Sequence, residues 1–298
     1  MPHFSPCCLC PHVCGVLRQY GQTGFCGCGD KPVVARAAPH FWEEPCISGS
    51  RGSGAVFFSG CNLGCVFCQN RELSRGHAGF PVGTERLSEI FLELQEKGVH
   101  NINLVTPTPW AEFIPPALEL AWEKGLWIPV VYNCGGYELP TVIDSLRGYV
   151  GVYLPDFKYM DPSLAAVLSG APDYPEIAKA SLDRMVAQRG EAVFDGDGMM
   201  IKGVIVRHLV LPGHTDDSVR ILDYLHREYG SSIYISIMNQ YTPMPGMTGE
   251  LSRRLTDREY AEVVAYARGA GITNGFIQEG GTAEESFIPV WDGEGVVR

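Results

Sequence analysis

Cys61, Cys65 and Cys68 stand in the run Ser59-Gly60-Cys61-Asn62-Leu63-Gly64-Cys65-Val66-Phe67-Cys68-Gln69-Asn70. A C-x3-C-x2-C loop brings three thiolates to three corners of one iron–sulfur cubane. Ordinary [4Fe-4S] sites use four cysteines. A local set of three leaves one iron without a protein ligand, much as a catalytic zinc keeps an open position. S-adenosylmethionine (SAM) can fill that gap through its amino and carboxylate groups. An electron from the reduced cluster then breaks a sulfonium C–S bond, giving methionine and a 5′-deoxyadenosyl radical that abstracts hydrogen. In such chemistry the cofactor does the hard step and the protein positions and shields it. Two other readings of the bare spacing stand beside this one: a zinc site, and a cluster completed by a distant cysteine such as Cys134.

Six of the eleven cysteines lie in residues 7–28, and Cys46 and Cys134 stand alone. Cys7, Cys10, Cys14 and Cys26 form a C-x2-C-x3-C set with a fourth thiol 12 positions on, and Cys8 and Cys28 are close neighbours. Four such thiolates can make a tetrahedral site for zinc or iron, or hold a second Fe–S centre. The spacing does not distinguish these. The odd cysteine total, with no basic-then-apolar leader at Met1-Pro2-His3-Phe4, argues against a disulfide framework. It fits a cytoplasmic chain whose thiols stay reduced.

Short apolar runs at 55–59, 102–105, 128–132, 150–154, 203–207, 233–237 and 275–277 read as buried strands. Helical patterns lie between most of them. Leu87, Ile90, Phe91 and Leu94 share one helix face, as do Tyr260, Val263, Val264 and Ala267, and Thr256 with Glu259 forms a capping box. The alternation predicts an α/β fold, a partial or full (β/α) barrel, with function on the loops after the strands. Residues 1–50 are rich in Cys, Gly and Pro and read as an irregular, metal-binding N-terminal lobe, with residues 51–298 as the barrel domain. No run of about 20 apolar residues predicts a membrane span. The formal charge of −11 disfavours a general nucleic-acid binder.

The cluster loop and its flanks resemble the radical SAM superfamily. Cys7-x2-Cys10-Pro11-x2-Cys14-Gly15 and the run Phe41-Trp42-Glu43-Glu44-Pro45-Cys46-Ile47-Ser48-Gly49 narrow the resemblance to pyruvate formate-lyase activating enzyme-like proteins, over about residues 7–280. It implies a radical SAM barrel, an oxidoreductase activity, a [4Fe-4S] cluster, SAM, and a reductant such as flavodoxin or ferredoxin. It places Phe67 near the SAM adenine. Asn133, ending the third strand, would face the SAM ribose or carboxylate. Asp156-Phe157-Lys158 resembles the Asp-x-Lys element of the activating enzymes, with Lys158 set to meet the SAM carboxylate. Arg207-His208-Leu209-Val210-Leu211-Pro212-Gly213 resembles their Arg-x-x-Val-x-Pro-Gly element, with Arg207 directed to SAM or substrate; His208 and His214 are read as turn or supporting residues.

The chain departs from the family at the second strand, where Thr106-Pro107-Thr108-Pro109 stands in place of Gly-Gly-Glu. Thr106 and Thr108 are the local candidates for the SAM amino group. Asn239, ending the sixth strand, is a candidate for adenine or ribose hydroxyls. Three functions follow. The chain activates a glycyl-radical enzyme as its protein partner, modifies a small molecule or peptide, or serves as a non-enzymatic Fe–S electron carrier or sensor. The activase-like motifs favour the first.

Overall fold

The computed structural model describes residues 6–278 and 289–297. Its strands are β1 (Val33–His40), β2 (Ser53–Phe58), β3 (Phe80–Pro81), β4 (Ile102–Val105), β5 (Val130–Cys134), β6 (Val152–Pro155), β7 (Val193–Phe194), β8 (Met200–Leu209), β9 (Tyr234–Met238) and β10 (Gly275–Ile277). The helices are α1 (Pro45–Ser48), α2 (Arg71–Ser74), α3 (Thr84–Glu96), α4 (Ile114–Glu123), α5 (Pro140–Ser145), α6 (Pro162–Ser169), α7 (Tyr174–Arg189), α8 (Thr215–Tyr229) and α9 (Asp257–Gly269).

The sheet runs β10-β9-β8-β6-β5-β4-β2-β1-β3, with β7 paired to β8. From β2 to β10 along this path every pairing is parallel, and β1 joins β2 antiparallel. Among the described residues the two ends, β10 and β3, do not pair. The fold is therefore an open partial barrel, which decides between the two forms the strand pattern allowed.

Every residue of β2 is buried, as expected for a parallel strand covered on both faces. On the outer face Leu87, Ile90, Phe91 and Leu94 of α3 are buried against the sheet. On α9, Val263, Val264 and Ala267 are buried likewise, and the Thr256–Glu259 capping box opens that helix with both reciprocal bonds made. On the inner face α1 plugs the barrel: Cys46 and Ile47 pack with Val131, Val152, Leu154 and Ile205.

The stretch read as an irregular N-terminal lobe contains a strand. Residues 33–40 are an eight-residue strand, paired from Val34 against Phe58 to His40 against Ser53. A register shift between Val34 and Arg36 breaks its alternation, which is why no period of two shows in the sequence. Before it, residues 6–32 hold one short 3-10 turn, Arg18–Tyr20.

Candidate functional site

The cluster loop leaves the end of β2 and is fixed before its first cysteine. Trp110 Nε1 donates to the Ser59 carbonyl at 2.8 Å, and Gly60 N donates to the Leu73 carbonyl at 2.9 Å. Gly60 has φ +86°, and a Cβ there would fall 2.1 Å from Cys28 Sγ, so only glycine fits both the turn and the close approach.

Each of the three sulfurs accepts a hydrogen bond. Leu63 N donates to Cys61 Sγ at 3.3 Å, Ser169 Oγ to Cys65 Sγ at 3.0 Å, and Ser74 Oγ to Cys68 Sγ at 3.5 Å. Burial pushes the Cys61 and Cys65 thiols up, and the other cysteines of the loop push the same way. Cys61 and Cys65 thiols that resist ionising, in a loop whose three sulfurs are each supplied with a donor, suit a metal-bound thiolate set. Metal binding supplies the positive charge, and donors to the sulfurs tune a cluster's potential. The residues present thus fit a [4Fe-4S] cluster with Cys61, Cys65 and Cys68 as its ligands.

All three cysteines line one cavity of about 280 Å³ in the mouth of the barrel. Of the other site residues expected from sequence, Phe67, Thr106, Asn133, Asp156, Lys158 and Arg207 line it too. Phe67 lies 6.1 Å from the Tyr241 ring, centroid to centroid. Thr106 has φ +57°, a left-handed conformation that costs a β-branched residue free energy and marks a strained point at the end of β4. Cys134 also lines the cavity.

Two expected residues lie elsewhere. Thr108 is buried in the 3-10 turn after β4, where its hydroxyl donates to Glu138 Oε1 at 2.9 Å and shares a 3.1 Å bond with Tyr132 Oη. Pro107 and Pro109 around it turn the side chain inward, so the cavity sees Thr106 alone. Asn239 does not line the cavity either; its neighbours Gln240 and Tyr241 do. Asn239 N is taken by Gln278 Oε1 at 2.9 Å.

The cavity floor is a charged network that includes a residue not expected there, Glu43. It follows β1 and reaches into the barrel just before the α1 plug. Arg207 Nη1 donates to Glu43 Oε2 at 3.1 Å, Arg207 Nε to Asp156 Oδ1 at 2.9 Å, and Arg207 Nη2 to Asn133 Oδ1 at 2.6 Å. Asn103 and Asn133 each donate an amide to Glu43 Oε1, at 3.0 and 3.1 Å. Lys158 Nζ donates to Asp156 Oδ2 at 2.5 Å. Burial works against the Asp156 charge, but Arg207 and Lys158 outweigh it and hold the carboxyl below its ordinary range. Burial likewise opposes the Lys158 charge, and Asp156 with Cys65 more than restores it. The floor therefore carries both signs at neutral pH.

His208 is a satisfied core side chain: Nδ1 meets the Phe157 carbonyl and Nε2 meets Ser218 Oγ, both at 2.8 Å. Burial lowers its pKa to about 4 and keeps it neutral. At the N-terminus Cys7, Cys10 and Cys26 are buried and Cys14 is exposed. Among the described residues, no three His, Cys, Asp or Glu side chains gather tightly enough for one metal ion.

A family model described as "Radical SAM superfamily" matches residues 55–225, more than half of the chain. The uncharacterized protein MJ0674 of Methanocaldococcus jannaschii is 28% identical over 277 residues, covering 89% of this chain and 75% of that protein. A radical SAM methyltransferase from Sphaerobacter thermophilus is similar in fold, with a TM-score of 0.53 at 16% identity over 75% of this chain. So is Streptococcus suis SuiB bound to precursor peptide SuiA, with a TM-score of 0.50 at 14% identity over 74% of this chain. The chain spans 65% and 46% of those two solved chains, respectively. Among the described residues no helix is long and apolar enough to cross a membrane. The thiolate loop at the end of β2, the open parallel barrel and the family match lead to one conclusion: this chain belongs to the radical SAM superfamily.

Proposed function

We propose that this protein cleaves SAM reductively and uses the resulting radical to abstract hydrogen from a small polar substrate held on the floor of the barrel. One observation carries the substrate class: the cluster loop opens into a cavity of about 280 Å³ whose floor is the Glu43–Arg207–Asp156 network. Fixed charges of both signs are what a polar or zwitterionic ligand needs, and a neutral backbone glycine does not.

Cys61, Cys65 and Cys68 would hold the cluster, which together with bound SAM would supply the electron and the hydrogen-abstracting group. The chain's own residues do the rest. Lys158 offers a cation to the SAM carboxylate beside Cys65, and Phe67 offers an apolar ring to the adenine. Asn133 and Arg207 hold the Glu43 and Asp156 carboxylates in fixed positions. The α1 plug keeps bulk water from entering the barrel at its inner end.

A second reading is favoured by the sequence elements Asp156-Phe157-Lys158 and Pro212-Gly213, which resemble glycyl-radical activating enzymes. On that reading the hydrogen comes from a glycine of a partner enzyme. The two are separated by incubating reduced enzyme and SAM with a low-molecular-weight metabolite fraction and, separately, with glycyl-radical enzymes of the same organism. Faster 5′-deoxyadenosine formation with the metabolite fraction is expected. A glycine-centred EPR doublet on a partner protein, with no response to metabolites, overturns the small-substrate reading and establishes the other.

A further inference from the structure

Residues 289–297 lie along β1, although β10, the strand before them in the chain, stands at the opposite end of the sheet. Gly293 N donates to the Ala35 carbonyl at 3.0 Å, and Ala37 N donates to the Glu294 carbonyl at 2.8 Å. β3 pairs only with Val33 and Val34, so this segment covers the next part of the β1 edge. Gly295 has φ +72°, and a Cβ there would fall 2.0 Å from the Ala37 carbonyl oxygen. Glycine is what lets the segment lie this close.

Two arginines fasten it. Arg36 of β1 donates Nη1 to the Val290 carbonyl at 3.3 Å and to Asp292 Oδ1 at 2.9 Å, and it pairs with Glu294 as well. Arg86 of α3 donates Nε to the Val296 carbonyl at 3.1 Å and Nη2 to the Gly295 carbonyl at 3.2 Å. Glu89 and Glu93 hold the same guanidinium in place. Val296 is buried in the main core.

The segment begins at the cavity. Pro289 is one of the lining residues, and Trp291 packs edge-on against Phe57, another of them, with 5.2 Å between ring centroids. The attachment is weak in kind. Asp292 and Glu294 are about half exposed, and exposed ion pairs contribute little and are screened by salt. The two backbone bonds to β1 compare with a ladder that runs from Val34 to His40 against β2. An element held in this way opens before the sheet does.

We infer that residues 289–297 are a releasable wall of the cavity, a clasp that narrows the mouth when fastened to Arg36 and Arg86 and widens it when released. A site that generates a radical gains from such a wall, which keeps solvent and stray hydrogen donors out during the reaction and lets substrate and product pass before and after it. The clasp itself stands on the contacts above. Its service to catalysis rests on the SAM-cleaving function proposed for the cavity.

The test uses the full chain without added iron, iodoacetamide as the probe, and peptide mass mapping to follow each cysteine. Cys61, Cys65 and Cys68 report on the cavity, and the exposed Cys8 and Cys14 are the internal controls. In Asp292→Asn/Glu294→Gln, and in a chain stopped before Pro289, alkylation of the three cavity cysteines should speed up at least fivefold while Cys8 and Cys14 keep their wild-type rates. Salt at about 1 M, where charges are screened within about 3 Å, should give a similar gain in wild type and none in the shortened chain. In hydrogen exchange of wild type, the Ala37 amide should exchange at least tenfold faster than the β1 amides bonded to β2. Unchanged cavity alkylation in both variants, or an Ala37 amide that exchanges only with the rest of β1, overturns the proposal. A rise shared equally by all these cysteines overturns it too, since the segment would then hold the fold and not the cavity. Failure of the reduced, reconstituted protein to form 5′-deoxyadenosine defeats the SAM reading instead, and the alkylation rates still decide the clasp.

Discussion

Glu43 and Arg207 stand 164 residues apart in the chain and meet at 3.1 Å on the floor of the cavity. Removing one partner of a buried ion pair leaves the other charge stranded, commonly at a cost of 3–5 kcal/mol. Arg207 keeps Asp156, so Glu43→Ala should cost less, about 2–4 kcal/mol. Glu43→Gln keeps the acceptor for Asn103 and Asn133 and should cost about 1–2 kcal/mol. Urea unfolding of the two variants measures both values. Equal stability of wild type and Glu43→Ala would show that the floor network is not a structural unit.

Lys158 is held beside Cys65 and Asp156 with its charge intact. A charge-assisted hydrogen bond to a carboxylate is worth about 1.5–3 kcal/mol. Lys158→Ala should therefore weaken SAM binding on the order of tenfold to a hundredfold, measured by equilibrium dialysis with the cluster in place. Unchanged affinity would remove Lys158 from the SAM site.

Glu138 is fully buried, accepts from Thr108, and has its pKa raised to about 7, by burial first of all. A raised pKa means that the fold favours the protonated acid. Its contribution is complete below the ordinary carboxyl range, declines as pH rises toward 7, and becomes a cost above that. Glu138→Gln has no such titration. Relative to wild type, the variant should gain about 2–3 kcal/mol between pH 5 and pH 9. A difference in unfolding free energy that is flat across that range contradicts this.

Thr106 carries a positive φ at the rim of the cavity. Thr106→Gly should relieve backbone strain worth about 1 kcal/mol and raise the melting temperature. If the hydroxyl serves SAM, the same change lowers SAM affinity. A lower melting temperature would mean that the threonine side chain contributes more to the fold than its backbone costs.

The parts legible in sequence were local ones. The C-x3-C-x2-C loop sits within eight residues, and 102–105 and 275–277 are strands with the bounds expected. Asp156 and Lys158 share a face two residues apart and do line the cavity. What the sequence hid depended on distant contacts. Glu43 lies in a Pro-rich stretch without period and gains its place only through Asn103, Asn133 and Arg207. The bulge in β1 masks a strand. Thr106 and Thr108 look equivalent along the chain, and only the turn between them sends one to the cavity and the other to Glu138.

The central claim is that three thiolates at the end of β2 hold a cluster that cleaves SAM. The direct measurement is 5′-deoxyadenosine formed by the reconstituted, reduced protein with SAM, quantified for wild type and for the Cys61/Cys65/Cys68→Ala variant. Slow formation by wild type even without substrate, and none by the variant, is the predicted result. Formation retained in the variant would contradict the account.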